Sequence, residues 1–312
     1  MSRLSFDTSE ALIYDPVPMN RNATRTTLYA LGFKQIDSVG SMEAFRSRIR
    51  KRPPDLVLCE AQPDSEVCDA VRSLRHGTAG YNPFIVVIVT AWDSIDSLVQ
   101  RVLDCGADDL LLRPFSTAML ESRIKTHVER RKGFIVTTEY VGPDRRREAN
   151  RSSSVDLFDP PNSLQMKARD HLAPEIVAQR LDLELKVALD ILHSEKLRRD
   201  SFQICVLWRL LQLQTPGTIG PEAAKLRDLT HSVENRCREL EISHTADWCQ
   251  SILAGLDGIN AGVDRSASLH LLGHAALSLN QLFSPEKSTG EHLAEIDAAV
   301  AVIRARDVAM AS

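Results

Sequence analysis

Four residues that can do chemistry each close an apolar run. Asp15 follows ALIY at 11–14, and Glu60 follows LVLC at 56–59. Thr90 follows FIVVIV at 84–89, and Arg113 follows LLL at 110–112, directly before Pro114. A carboxylate in such a place can pair with arginine, ligate a hard cation or act as a nucleophile. Two further groups stand apart. His270 and His274 lie one helical turn apart in SLHLLGHAALSLNQLF. Spacing of i, i+4 suits a metal, but no acid completes the set nearby, so no metal site is assigned there. Arg145, Arg146 and Arg147 form the basic end of YVGPDRRR. The six cysteines have no CxxC spacing and no zinc-type cluster, and they read as reduced, buried thiols.

The elements that must position these groups differ between the two halves of the chain. Over the first ~130 residues, strand-length runs alternate with segments of helical spacing. The runs are 11–14, 35–39, 56–59, 84–89 and 110–112, nearly unbroken by charge. Strands covered on both faces read this way. The pattern predicts a doubly wound α/β domain with a five-stranded parallel sheet and ligands at the carboxyl ends of its strands. Residues 132–173 carry Pro143, Pro160, Pro161, a serine run and basic clusters, and they read as a linker with a short extended piece at 134–140. From Pro174 to 310 the strands vanish. Helical segments opening near Pro174, Pro221, Thr245, Arg265 and Glu291 predict a separate all-α bundle of five or six helices. Trp208 and Trp248 fall at helical positions as core anchors, and His193 reads as structural.

Residues 8–131 resemble the receiver domain of bacterial two-component response regulators. ALIYDP matches the first strand and its acidic turn, and PDLVLCE matches the third strand and its terminal acid. FIVVIVTA matches the fourth strand, and CGADDLLLRPF stands where the family usually has GADDYLTKPF. The resemblance implies a flavodoxin-like fold. It further implies a phosphoacceptor carboxylate at position 60, magnesium ligands after the first strand, a phosphoryl-contacting hydroxyl at Thr90 and a cation at position 113. It also implies a cis peptide at Arg113–Pro114, where such a bond is cheap.

This chain departs from that pattern at several of those positions. The acceptor is Glu60 rather than aspartate, the second acid is Pro16, the lysine is Arg113, and the fifth-strand aromatic is Leu110. The loop that follows, from Ala61 to Asp64, is about one residue short and lacks the usual glycine. Glutamate carries its carboxylate one C–C bond further, roughly 1.5 Å. A displacement of about 1 Å can cost ~100-fold in reaction. The expectation is a degenerate receiver in which Glu60 and Arg113 pair directly beside Thr90. Asp15 and Glu60 would remain as residual ligands for magnesium, weakly held at most.

YVGPDRRR resembles an element found after receivers in proteobacterial signalling proteins. Its arginines can dock on an acidic partner surface or form a solvated tether. His270 loosely resembles the histidine of phosphotransfer domains, although the lysine is missing and the glycine is shifted. With 312 residues, 43% apolar, 26% charged and a net charge of −4, the chain suits two soluble domains rather than a nucleic-acid or membrane coat. No signal peptide or membrane-length apolar run is evident, so a cytoplasmic protein is expected. The leading expectation is a non-enzymatic signalling protein that acts on a protein partner or on itself as a homodimer. A His270 phosphorelay and a nucleic-acid regulator using the arginines are the alternatives.

Overall fold

The computed structural model describes residues 4–63, 66–77, 82–146, 157–214, 220–262 and 264–311, the last five in backbone only. Contacts divide the chain into two units, 1–190 and 191–312.

The first unit is built on five strands and five helices in alternation. They are β1 (Glu10–Tyr14), α1 (Pro18–Ala30), β2 (Gln35–Val39), α2 (Met42–Lys51), β3 (Leu56–Glu60), α3 (Val67–Arg75), β4 (Val86–Ala91), α4 (Asp96–Asp104), β5 (Asp109–Leu112) and α5 (Thr117–Glu129). The sheet order is β2-β1-β3-β4-β5, and every pairing is parallel. Successive strand residues point to opposite faces. Leu12, Val57, Cys59, Val87 and Val89 pack in one core with residues of α2, α3 and α4. Ala11, Ile13, Leu58, Val86 and Ile88 pack in another with Leu28 of α1 and Leu120, Ile124 and Val128 of α5. Both faces are covered, which is why the strands read as unbroken apolar runs. The strand order reverses at β1 and β3, so the crevice beyond their carboxyl ends is the natural site.

Residues 132–173 are not a bare linker. A hairpin of β6 (Phe134–Val136) and β7 (Val141–Pro143) lies in this segment, and Phe158 bridges to Phe134. The rings of Phe84, Phe134 and Phe158 pack edge to face, with centroids 5.8–6.3 Å apart. α6 (Ser163–Ala168) places Leu164 and Ala168 in the same core as α1 and α5. Low apolar content hid this docking. Phe134, Ile135, Val136, Val141, Leu164 and Met166 are buried, and Arg131 donates to the carbonyls of Phe84 and Pro161.

α7 (Pro174–Leu213) opens at Pro174 as the sequence predicts, and the division between units falls inside it, at Asp190/Ile191. The helical region therefore starts where expected, but its compact unit starts later than 174. α8 (Pro221–Glu239), α9 (Thr245–Asn260), α10 (Arg265–Phe283) and α11 (Thr289–Ala311) complete the second unit. Ile204, Leu207, Leu226, Val233, Ile252, Leu272, Leu279 and Ile296 form its core, which includes Trp208, with half-buried Trp248 packed against it. Of the chain break predicted at 215–221, residues 215–219 lie outside the described residues.

Candidate functional site

Parallel register sets the site. β3 and β4 pair so that Glu60 lies beside Thr90, each the polar end of an apolar strand. The Thr90 hydroxyl donates to Glu60 Oε2 at 2.5 Å. Arg113, one residue past β5, donates from Nε to the same Oε2 at 2.7 Å. Its Nη2 donates to Thr24 Oγ1 at 2.9 Å and reaches Asp15 Oδ2 at 3.4 Å. The guanidinium also lies 4.9 Å from the centroid of the Phe115 ring. The Arg113–Pro114 peptide is cis. The structure thus brings Asp15, Glu60, Thr90 and Arg113 into one cluster.

The cluster is dry. Asp15 is fully buried, Glu60 is 2% exposed, and the Arg113 side chain is 8% exposed. Asp15 Oδ1 accepts from the Val17 amide at 2.8 Å, and Arg21 donates to the Asp15 carbonyl. Glu60 Oε1 has no hydrogen-bond partner among the described residues. One guanidinium therefore answers two carboxylates. Charge-assisted bonds of this kind are strong, and both donors to Glu60 crowd one oxygen. Asp15 and Glu60 are the carboxylates a magnesium ion would need. Pro16 supplies no ligand, and Arg113 already contacts both acids. This donor set does not fit a hard cation that wants several free oxygens. No group of three metal-binding side chains occurs among the described residues.

Sequence reasoning missed Thr24 and Phe115. Thr24 sits one turn before Leu28 on the inward face of α1, a polar residue at a core position. Phe115 follows the Arg113–Pro114 pair, and that adjacency was the available signal.

The other sequence candidates are placed differently. Arg145 is half-buried and donates to the Ala107 carbonyl and to Tyr140 Oη. Arg146 pairs with Asp144 at 2.9 Å. Arg145 thus ties the hairpin to the segment before β5, and the Asp144 partner of Arg146 lies two residues before it. Arg147 lies outside the described residues. His270 and His274 are exposed on α10. They border a groove of about 630 Å³ whose wall includes Trp208 and Leu277. The space a side chain would need at Gly273 is filled by the Trp208 indole, whose Nε1 donates to the Leu269 carbonyl at 3.0 Å. The glycine after His270 thus admits a tryptophan of the same unit. His193 contacts Arg236 at 2.6 Å. All six cysteines are buried and unpaired by disulfide, and burial pushes the Cys59 and Cys205 thiols up. Neither is a thiolate nucleophile near neutral pH.

Residues 11–125 match the family model for the response regulator receiver domain. Residues 11–125 are a receiver domain. Its relatives include the transcriptional regulatory protein PrrA of Mycobacterium tuberculosis, 36% identical over 116 residues, which are 36% of this chain and 48% of PrrA. The KDP operon transcriptional regulatory protein KdpE of Escherichia coli is 26% identical over 122 residues, 39% of this chain and 52% of KdpE. Among solved structures, the Vibrio cholerae chemotaxis protein CheY4 aligns with a TM-score of 0.34 at 16% identity, over 38% of this chain and 96% of that one. The chain spans about half the length of the curated relatives it matches. The receiver domain holds Asp15, Glu60, Thr90 and Arg113, and the family match stops short of α7.

Proposed function

We propose that this receiver domain works without phosphorylation and that the protein is a non-enzymatic, cytoplasmic signalling module of bacterial type. It acts by contact with a protein partner or with a second copy through its helical region. One observation carries the reading: Arg113 is held by both Glu60 and Asp15. The guanidinium stands where a phosphoryl group and its metal would need to be answered, and the Glu60 oxygen that accepts it also accepts Thr90. An acceptor whose oxygen is occupied in this way, and whose carboxylate is displaced by one methylene, is a poor in-line nucleophile. The family match ends at residue 125, ahead of the helical region, and Arg145 of the GPDRR stretch donates within its own unit. No helix described is long and apolar enough to cross a membrane.

The test is the intact mass of the chain after incubation with a small-molecule phosphodonor and magnesium, beside Glu60→Asp. No added phosphoryl mass on the wild type is expected. A stable phosphoryl group mapped to Glu60 or Asp15 overturns the reading, and label on His270 replaces it with a relay.

A further inference from the structure

The first half of α7 carries a stripe that its own unit leaves uncovered. Ile176, Arg180, Leu183, Val187 and Asp190 recur at alternating steps of four and three, the spacing of a coiled-coil seam. All five are exposed, with Leu183 at 67% and Val187 at 61%. Single exposed aliphatics need no explanation, but three in one stripe mark a contact surface.

The charges on the stripe indicate what covers it. Arg180 and Asp190 stand at equal distances on either side of Leu185, as do Leu183 and Val187. If a second α7 lies antiparallel across a two-fold axis at Leu185, Arg180 of each copy faces Asp190 of the other. Leu183 then faces Val187, and both pairings occur twice. A parallel pairing would set Arg180 against Arg180 and Asp190 against Asp190, which is repulsive. Arg180 already donates to Glu184 at 2.8 Å, with more than half of its side chain exposed, so its guanidinium is held beside the seam with donors to spare. The stripe runs about 15 residues, or ~22 Å of helix. That is short of a standard interface, so the contact is reversible rather than obligate.

We propose that this face of α7 binds a second copy of the same chain, antiparallel, with Arg180 and Asp190 as the register-setting pair. This deepens the preceding reading, on which it rests, by naming the partner as self.

The experiment is sedimentation equilibrium of the full chain over a wide concentration range, with and without phosphodonor. The wild type should show reversible doubling of mass. Leu183→Asp should abolish it; the residue is exposed, so folding is spared, and circular dichroism verifies this. Arg180→Asp and Asp190→Arg should each weaken association by about tenfold or more. The double variant, with the two charges exchanged, should recover it; a parallel pairing opposes like charges in every one of these variants and gives no such loss and rescue. A wild type that stays monomeric, a dimer that survives Leu183→Asp, or a double variant that fails to recover overturns the proposal. A Leu183-dependent dimer that forms only with phosphodonor supports the surface and overturns the phosphorylation-independent reading instead.

Discussion

Arg113 has more to answer than any other side chain in the crevice: two buried carboxylates, one threonine hydroxyl and one aromatic face. A buried charge pair is weak evidence for net stability, because desolvation offsets attraction. Breaking such a pair is another matter. Arg113→Ala leaves Glu60 and Asp15 buried without their shared cation and should cost about 3–5 kcal/mol in urea unfolding. Arg113→Lys should cost less, since one ammonium can still reach a carboxylate, but it loses the planar fork. Equal losses for the two variants would show that packing against Phe115, and not charge, holds the site. The four strand-end residues were legible in the sequence because each closes an apolar run, and a parallel sheet collects such ends at one edge. Thr24 was not, because a polar residue on an amphipathic helix gives no sign of whether it faces in or out.

At the scale of elements, the hairpin is fastened at the amino-terminal end of β4 and β5 by a buried ion cluster. Asp108 accepts from Arg75 at 2.7 Å, from Arg131 at 2.8 Å and from the Val87 amide at 2.8 Å. Arg75, fully buried, also donates to the carbonyls of Gly106 and Ile85. Burial raises the Asp108 carboxyl, but Arg131 and Arg75 outweigh it and hold it at about 2. The sign follows from linkage. A depressed carboxyl contributes stability in full above its unfolded value near 3.8, and that contribution is lost as pH falls through about 2. Wild type should therefore lose stability between roughly pH 4 and pH 2, and Asp108→Asn should be destabilised at pH 7 with a flatter acid limb. A parallel acid limb in the variant would remove Asp108 from the account. Glycines seal the same junction: a side chain on Gly142 would meet Gly106 Cα at 2.7 Å. None of this was readable beforehand. Arg75 and Arg131 look like surface residues in a sequence, and only the paired Asp108 and the open carbonyls make their burial affordable.

For the molecule as a whole, the alternation of strands and helices announced the first unit, and the loss of strands after Pro174 announced the second. Where the first unit ends was not announced, because polarity conceals a docked segment and a continuous helix carries no punctuation at Asp190. Ending the first unit at residue 131 would remove Phe134, Ile135, Val136, Leu164 and Met166 from their buried places. At about 1.5–3 kcal/mol for each fully buried side chain, that loss rivals the 5–15 kcal/mol by which a domain is stable. It would also open the Phe84 cluster and remove Lys167 from Asp55, a contact of 2.8 Å beside the Glu10 amide that Asp55 also accepts. A fragment of residues 1–131 should therefore be marginal, with early thermal unfolding and exposed apolar surface that binds a hydrophobic dye. A fragment of residues 1–173 keeps the hairpin and α6 and should unfold cooperatively at a clearly higher temperature. Equal midpoints would mean that the five-stranded unit is self-sufficient and that residues 132–173 are ornament to it. A large difference would mean that the hairpin and α6 complete the fold of the receiver.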